Sequence, residues 1–226
     1  MTPRKRAIGG RIFTREDLGL PPVGFVFCCF NNSFKIAAAT FVLWMRILRA
    51  VDGSVLWLLE DVPAAAENLR NEAAARGIDP ARLVFAPRAP HANHLSRHRA
   101  ADLFLDTLPY NAHTTASDAL WCGLPVLTFA GQSFAGRVAA SLLAAVGLPE
   151  LVTQTEDAYV ALAVKLAQDP LALALAALRQ RLQSARTAAP LFDTPRYVRD
   201  IEKAFTHMVA RQRAGLACAH FDVASL

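Results

Sequence analysis

Short apolar runs alternate with helix-patterned stretches through the first two thirds of the chain, and this alternation constrains the fold more than any other feature. Runs rich in Val, Phe and Leu at 24–29, 54–59, 82–86, 102–106 and 125–129 read as strands, and Leu151-Val152 opens a sixth. The runs are nearly continuous rather than alternating in polarity, the pattern of strands buried on both faces. Between them, Phe41, Trp44, Met45, Leu48 and Val51 recur at intervals of three and four. Residues 63–76 are Ala-rich and stop at Gly77, a helix C-cap signal. Further helices are predicted over 91–100, from near Thr114, and over 134–146 before Gly147. Strand–helix alternation at this spacing predicts an α/β fold, a parallel sheet with helices on both faces. The last third carries only helical patterns. Thr155 caps one, with Glu156 and Asp157 in its first turn and Tyr159, Leu162, Ala163 and Leu166 following. Leu171, Leu175, Leu178 and Leu182 repeat on one face of the next. Asp193-Thr194-Pro195 starts another, with Tyr197, Ile201, Phe205 and Met208 on one stripe. The expected organisation is a tail or linker over 1–22, the α/β domain over 23–153, helices packed on that same domain over 154–210, and a tail over 211–226.

Composition narrows the function classes. Apolar residues make up 54% of the 226, enough for a substantial core. Charged residues are only 19%, so a membrane reading has to be tested. The longest uncharged stretch, 119–136, contains Gly123, Pro125, Gly131, Gln132 and Ser133 and reads as turn–strand–turn, not as a span of about 20 apolar residues. The net charge of +5 is spread along the chain apart from Arg4-Lys5-Arg6, with no basic stripe interleaved with aromatics. That favours a phosphate-bearing small molecule over nucleic acid or a membrane surface. The 4 cysteines (Cys28, Cys29, Cys122, Cys218) form no C-x-x-C pair and read as reduced thiols of a cytoplasmic protein. The basic start is not followed by an apolar stretch, so no signal peptide is expected, and a transit peptide is the weaker alternative.

In open parallel sheets, ligands bind beyond the carboxyl ends of the strands. Three of the loops there are unusual. The loop after the first strand reads Phe30-Asn31-Asn32-Ser33-Phe34-Lys35, with no G-x-G-x-x-G. Lys35 offers a compact positive charge for phosphate, yet spacing alone favours an ordinary solvated lysine at a helix start. The loop after the third strand carries Pro87-Arg88-Ala89-Pro90-His91, then His94, Arg97 and His98. Histidine rings and guanidinium planes can stack on a base or bond its edge, or form a solvated helix face. A metal site is disfavoured because no further ligand signature is evident. The loop after the fourth strand runs from Asp106 to Thr115 and on to Asp118. A helix beginning near Thr114 would present free N–H groups and a positive dipole end, and Thr114 and Thr115 would add hydroxyls, making a diphosphate cradle without glycines. Asp118, one turn on, could accept from ribose hydroxyls. Simple helix capping explains the same threonines equally well.

The motifs Phe30-Asn31-Asn32-x-x-Lys35, Ser54-Val55-Leu56-Trp57-Leu58-Leu59, Ala89-Pro90-x-x-x-His94, Ala101-Asp102-x-x-Leu105-Asp106-Thr107 and His113-Thr114-Thr115-x-x-Asp118-x-Leu120-Trp121 occur in order. Gly123-x-Pro125-Val126-x-Thr128, Ser133-x-x-x-Arg137-Val138-Ala139-Ala140-Ser141 and Pro190-Leu191-Phe192-Asp193-Thr194 follow. Together they resemble the C-terminal catalytic lobe of the O-GlcNAc transferase / SPINDLY family of protein O-glycosyltransferases, from about Phe13 to Met208. The resemblance implies one Rossmann-like lobe of a GT-B enzyme that binds UDP-GlcNAc, inverts at the sugar carbon and needs neither metal nor cofactor. It implies that Lys35 neutralises the pyrophosphate and acts as the catalytic residue. Thr114 and Thr115 would hold phosphates with His113 in the same motif, Ala89, His94 and Arg97 would frame the uracil, and Asp118 would bind the ribose. His91 stands where many relatives have Lys, and Asn32 where animal relatives have Gln. The N-terminal lobe and tetratricopeptide repeats of the family are not in this sequence. Implied partners are therefore a UDP-sugar, a protein or peptide acceptor, and a separate N-terminal lobe or repeat protein. A non-catalytic nucleotide-binding module and a GDP-fucose-dependent SPINDLY-like enzyme are the alternatives.

Overall fold

A computed structural model describes residues 6–169 and 172–223. Six strands form one sheet: β1 (Val26–Cys29), β2 (Val55–Leu59), β3 (Leu83–Ala86), β4 (Leu103–Leu105), β5 (Val126–Phe129) and β6 (Val152–Thr153), in the order β3-β2-β1-β4-β5-β6. Every pairing is parallel, with Val26 opposite Val55 and Phe27 opposite Leu103. The helices between them are α1 (Ala38–Ala50), α2 (Pro63–Ala75), α3 (His91–Arg97), α4 (Thr114–Trp121) and α5 (Val138–Ala145). Then come α6 (Glu156–Ala167), α7 (Leu173–Ala188) and α8 (Thr194–Arg213). The sheet is the expected doubly covered one: all four residues of β1 and all three of β4 are buried.

The strands are shorter than the apolar runs, and polar side chains at two of the run starts serve neighbouring loops. Asp102, expected in β4, accepts from the Val26 N–H at 2.8 Å and from Arg15 at 3.0 Å, tying the start of β1 to the N-terminal segment. Arg82, expected in β3, donates to the carbonyls of Leu48, Val51 and Ser54 at 2.7–2.8 Å, closing the end of α1 onto the start of β2. α5 begins four residues later than predicted because residues 131–136 fold into a turn closed by Gly131 N–H on Gly136 O at 2.8 Å. α3 ends at Arg97, and residues 98–100 finish as a 3-10 turn.

The segment expected as a tail or linker is seated on the body over its described residues: Leu20 is buried, and Gly9 N–H donates to Ala92 O at 2.9 Å. Thr155 and Asp193 cap α6 and α8 as predicted, accepting from Ala158 N–H and Arg196 N–H at 3.1 Å each. Leu175, Leu178 and Leu182 are buried; Leu171 lies outside the described residues. α8 buries no residue, and Tyr197, Phe205 and Met208 of its stripe are exposed.

The strand order reverses between β1 and β4, because the chain steps outward from β1 to β3 and then returns to the other side of β1. A crevice forms at such a switch point, beyond the strand ends. Trp44 Nε1 donates to Tyr159 Oη at 3.2 Å, and Tyr159 Oη to Asp106 O at 3.1 Å, so α1 and α6 both brace the end of β4 beneath that crevice.

Candidate nucleotide-sugar site

The loops after β1 and β4 line the switch point, and side chains stitch them together. After β1, Ser33–Lys35 forms a 3-10 turn, fixed from the β2 side by Ser33 N–H and Oγ on Asp61 Oδ2 at 2.8 and 3.1 Å. That turn directs Lys35 across the crevice, where Nζ donates to Asn111 O at 3.0 Å and lies 4.0 Å from the centre of the Tyr110 ring. Tyr110 stacks on His113 with centroids 4.9 Å apart. Lys35 and His113 therefore share one mouth. Burial lowers the Lys35 ammonium, and the Asp106 carboxyl opposes this.

α4 starts at that mouth. His113 provides no side-chain cap, and its imidazole Nε2 instead reaches Ala135 O at 3.4 Å. The first intrahelical bond onto His113 O comes from Ser117 N–H, so the N–H groups of Thr114, Thr115 and Ala116 point from the open end with the positive end of the helix dipole. Thr114 is exposed, and Thr115 Oγ1 donates to Asn31 Oδ1. The cradle and the simple cap were both open from sequence; the helix start carries no side-chain cap at His113.

Two residues outside the expected set organise these loops. Asp106 Oδ1 accepts from Thr107 and Ala112 N–H at 2.8 and 2.6 Å, and Oδ2 from Thr128 Oγ1 at 2.7 Å, which closes the 106–112 loop around one carboxyl. Burial pushes that carboxyl up to about 7, against these donors and the Lys35 charge. Asn31 is buried and donates to Thr107 Oγ1 at 2.8 Å while accepting from Thr115. Asn32, the residue singled out in that motif, sits at the rim and accepts from Arg88 at 3.3 Å. The signal for Asp106 was a carboxylate directly ending an all-apolar run; Asn31 gave none beyond its neighbour's. The 131–136 turn completes the wall. Its glycines are required by close approach: a Cβ on Gly136 would stand 3.0 Å from Pro109 O.

On the other flank, α3 supplies the histidine cluster. Arg97 is buried, donating to Pro87 O at 2.7 Å and to His94 Nδ1 at 2.6 Å, with its guanidinium 4.7 Å from the Phe30 ring centre. A guanidinium only donates, so His94 Nδ1 is an acceptor and Nε2 carries the proton. Burial, with His98 and Arg97 nearby, holds His94 down to about 3, neutral at physiological pH. His98 Nδ1 donates to His94 O at 2.8 Å, and burial brings it down to about 4. His94 is thus presented from a packed base of Phe30, Arg97 and His98, whereas Ala89 lies in the exposed 87–90 loop. Among the described residues, no three His, Cys, Asp or Glu side chains converge as a metal site. His91, at the start of α3, places Nε2 3.6 Å from Asp118 Oδ2, and Asp118 also pairs with Arg6. Burial raises Asp118; Arg6 and then His91 oppose it. Among the described residues, no helix is long and apolar enough to cross a membrane.

A parallel six-stranded sheet in the order β3-β2-β1-β4-β5-β6, with helices on both faces, is a Rossmann-like lobe. The sequence profile of glycosyl transferase family 41 matches residues 5–201, and the chain belongs to that family. It is 41% identical over 207 residues to the UDP-N-acetylglucosamine–peptide N-acetylglucosaminyltransferase of Caenorhabditis elegans, covering 92% of this chain and 18% of that protein. It is 38% identical to the probable enzyme of the same kind named SEC from Arabidopsis thaliana, covering 92% of this chain and 21% of that protein. Among solved structures, a K341M mutant of the Thermobaculum terrenum O-GlcNAc transferase superposes with a TM-score of 0.78 at 33% identity, over 84% of this chain and 37% of that one. The chain spans about a fifth of the length of these curated relatives.

Proposed function

We propose that this chain is the donor-binding lobe of a protein O-glycosyltransferase that moves GlcNAc from UDP-GlcNAc to a Ser or Thr hydroxyl, inverting and without metal or cofactor. The observation that carries the reading is Lys35 Nζ, held on Asn111 O beside the uncapped start of α4. As the acceptor oxygen bonds to the sugar carbon and the bond to UDP breaks, negative charge gathers on the β-phosphate. Lys35 and the N–H groups of Thr114 and Thr115, with the Thr114 hydroxyl, are set to receive it before the reaction starts. They take the place that a divalent cation would otherwise fill. The neutral His94, with Nε2 as donor, suits the carbonyl edge of uracil. Arg97 supports that base pocket from beneath through His94 and Pro87, and the Ala89 backbone closes its open side. Asp118 accepts from ribose hydroxyls, with His91 alongside and Asn32 at the rim. The acceptor, and a second lobe that completes the sugar pocket, lie outside these residues, and a cytoplasmic setting fits the free thiols.

Isothermal titration of the 226-residue chain with UDP and with GDP tests the donor. The expected result is binding of UDP in preference to GDP; a preference for GDP would reassign the donor to a GDP-sugar, and binding of neither ends the reading. In a two-lobe protein carrying this sequence, Lys35→Met is expected to abolish transfer, and full activity would remove the catalytic role.

A further inference from the structure

Of the basic cluster that opens the chain, Arg6 lies among the described residues, and it is not on the surface. Its guanidinium pairs with Asp118 Oδ1, with the two side chains only 17% and 6% exposed. Its carbonyl accepts from Trp121 Nε1 at 3.2 Å, one turn further along α4. Three residues on, Gly9 N–H donates to Ala92 O at 2.9 Å, and a Cβ on Gly9 would stand 3.0 Å from that same oxygen. Residues 6–9 thus run as a strap from the side of α4 to the start of α3, across the flank where the ribose is placed. Arg6 takes one carboxylate oxygen; the other, Oδ2, lies 3.6 Å from Nε2 of the half-exposed His91.

We propose that Arg6 is a positioning residue: it holds the Asp118 carboxylate ionised and turned so that Oδ2 accepts from the ribose hydroxyls of a nucleoside diphosphate. This rests on the ribose assignment of Asp118 above. A carboxylate this buried keeps its charge only with a partner. The charged and titratable groups facing it are Arg6 from the strap, His91 from α3 and Cys122 from its own helix. Cys122, near which Arg99 and Arg186 also lie, is pushed by burial up to about 12 and stays neutral. His91 is charged only if protonated and is 55% exposed. Arg6 is therefore the one permanent cation in contact with Asp118 among the described residues. Without it, burial moves the carboxyl toward protonation, and a protonated Asp118 is a poorer acceptor for two hydroxyls.

The test is titration of the full chain with UDP and with 2′,3′-dideoxy-UDP at pH 6, 7 and 8, for wild type, Arg6→Met, Arg6→Gln and Arg6→Lys. Arg6→Met and Arg6→Gln are expected to weaken UDP about tenfold at pH 7, more at pH 6 than at pH 8, the scale of one charge-assisted hydrogen bond. Arg6→Lys should restore most of the affinity, and the dideoxy analogue should bind wild type and variants alike. Arg6→Gln keeps a donor at the same position if Arg6→Met does not fold. Equal losses for UDP and its dideoxy analogue would make Arg6 merely structural, and unchanged or tighter UDP binding would overturn the proposal. Wild-type protein that binds no UDP would refute the donor reading itself; wild-type binding with no Arg6 effect refutes only this inference.

Discussion

Asp106 offers a perturbation whose size follows from its contacts. Asp106→Ala leaves the buried N–H groups of Thr107 and Ala112, now 2.8 and 2.6 Å from Oδ1, without a partner. Each buried donor left unpaired costs roughly 1–3 kcal/mol. The Thr128 hydroxyl can rotate to another acceptor and adds little. Removing the buried carboxyl returns part of its own desolvation penalty, so the net loss is about 3 kcal/mol, or about 6–12 °C in Tm for a domain of this size. Asp106→Asn keeps Oδ1 on the two N–H groups and lets Nδ2 donate to Thr128 Oγ1. It imitates the protonated acid and is expected to cost under about 1 kcal/mol. The pH dependence has a definite sign. Burial raises the folded carboxyl from 3.8 to about 7, so between these values the folded protein binds more protons than the unfolded chain. The group's contribution to stability is then fully present below about pH 4 and is lost as pH rises through about 7. Thermal melts at pH 5 and pH 8 read both effects, and wild type should lose more stability than Asp106→Asn across that interval. An alanine variant melting within about 2 °C of wild type, or parallel pH profiles for wild type and the asparagine variant, would refute the reasoning.

Lys35→Met in the 226-residue chain should weaken UDP roughly 10–100-fold by isothermal titration while leaving the melting temperature nearly unchanged, since the ammonium's one hydrogen bond is to a loop carbonyl. An unaltered affinity would dissociate Lys35 from the phosphates. Because His94 is held neutral at about 3, it should contribute no titration step to UDP affinity between pH 5 and 8. His94→Ala should lower that affinity by a similar factor across the range, and a loss confined to one end of it would contradict the neutral state of His94. Gly24 has φ +96° and a Cβ there would stand 2.4 Å from Gly53 O, so Gly24→Ala should destabilise by more than about 2 kcal/mol, read as a Tm lowered by more than about 4 °C.

The sheet was legible because the first four strands are runs of apolar residues with nothing polar inside them, and β5 departs from this only at Thr128, a pattern that follows from burial on both faces. The strand ends were not, since Asp102 and Arg82 adjoin those runs while their side chains close neighbouring loops. Local periodicity also cannot say what a helix face meets. Tyr197, Phe205 and Met208 form the expected stripe on α8, yet that face is exposed, whereas Leu175, Leu178 and Leu182 of α7 enter the core. At the site, Lys35, His113, Thr114 and Thr115 were visible as unusual residues after strands, and Lys35 lies on the Tyr110 ring that stacks on His113 at the start of α4. Arg97 was chosen for a ligand and is buried against Phe30 and Trp57, with Nη1 on Pro87 O and Nη2 on the His94 imidazole while Nε has no partner. Asn31 and Asp106 were passed over because their work is done through partners 76 and 84 residues away, or through a loop that closes only when β4 is in place.

Those long-range partners show how a mouth between two loops would serve the proposed phosphate site without a glycine-rich turn. Glycines let a loop wrap a phosphate by removing side chains. Here the wrapping is done instead by fixing two ordinary loops rigidly at the sheet's switch point. Asn31 joins the β1 loop to Thr107 and Thr115, Lys35 joins it to Asn111, and Asn111 N–H joins the β4 loop to Ala135 O at 2.9 Å. A donor entering such a site has little backbone left to order, so the binding energy of the nucleotide is available to hold the sugar carbon for attack. On the proposed reading, Lys35, Thr114 and Thr115 address the phosphates, His94 the base and Asp118 the ribose, and none of these is assigned to the acceptor. That reading leaves delivery of the acceptor hydroxyl to a partner surface, the division of labour proposed above between this lobe and a second one.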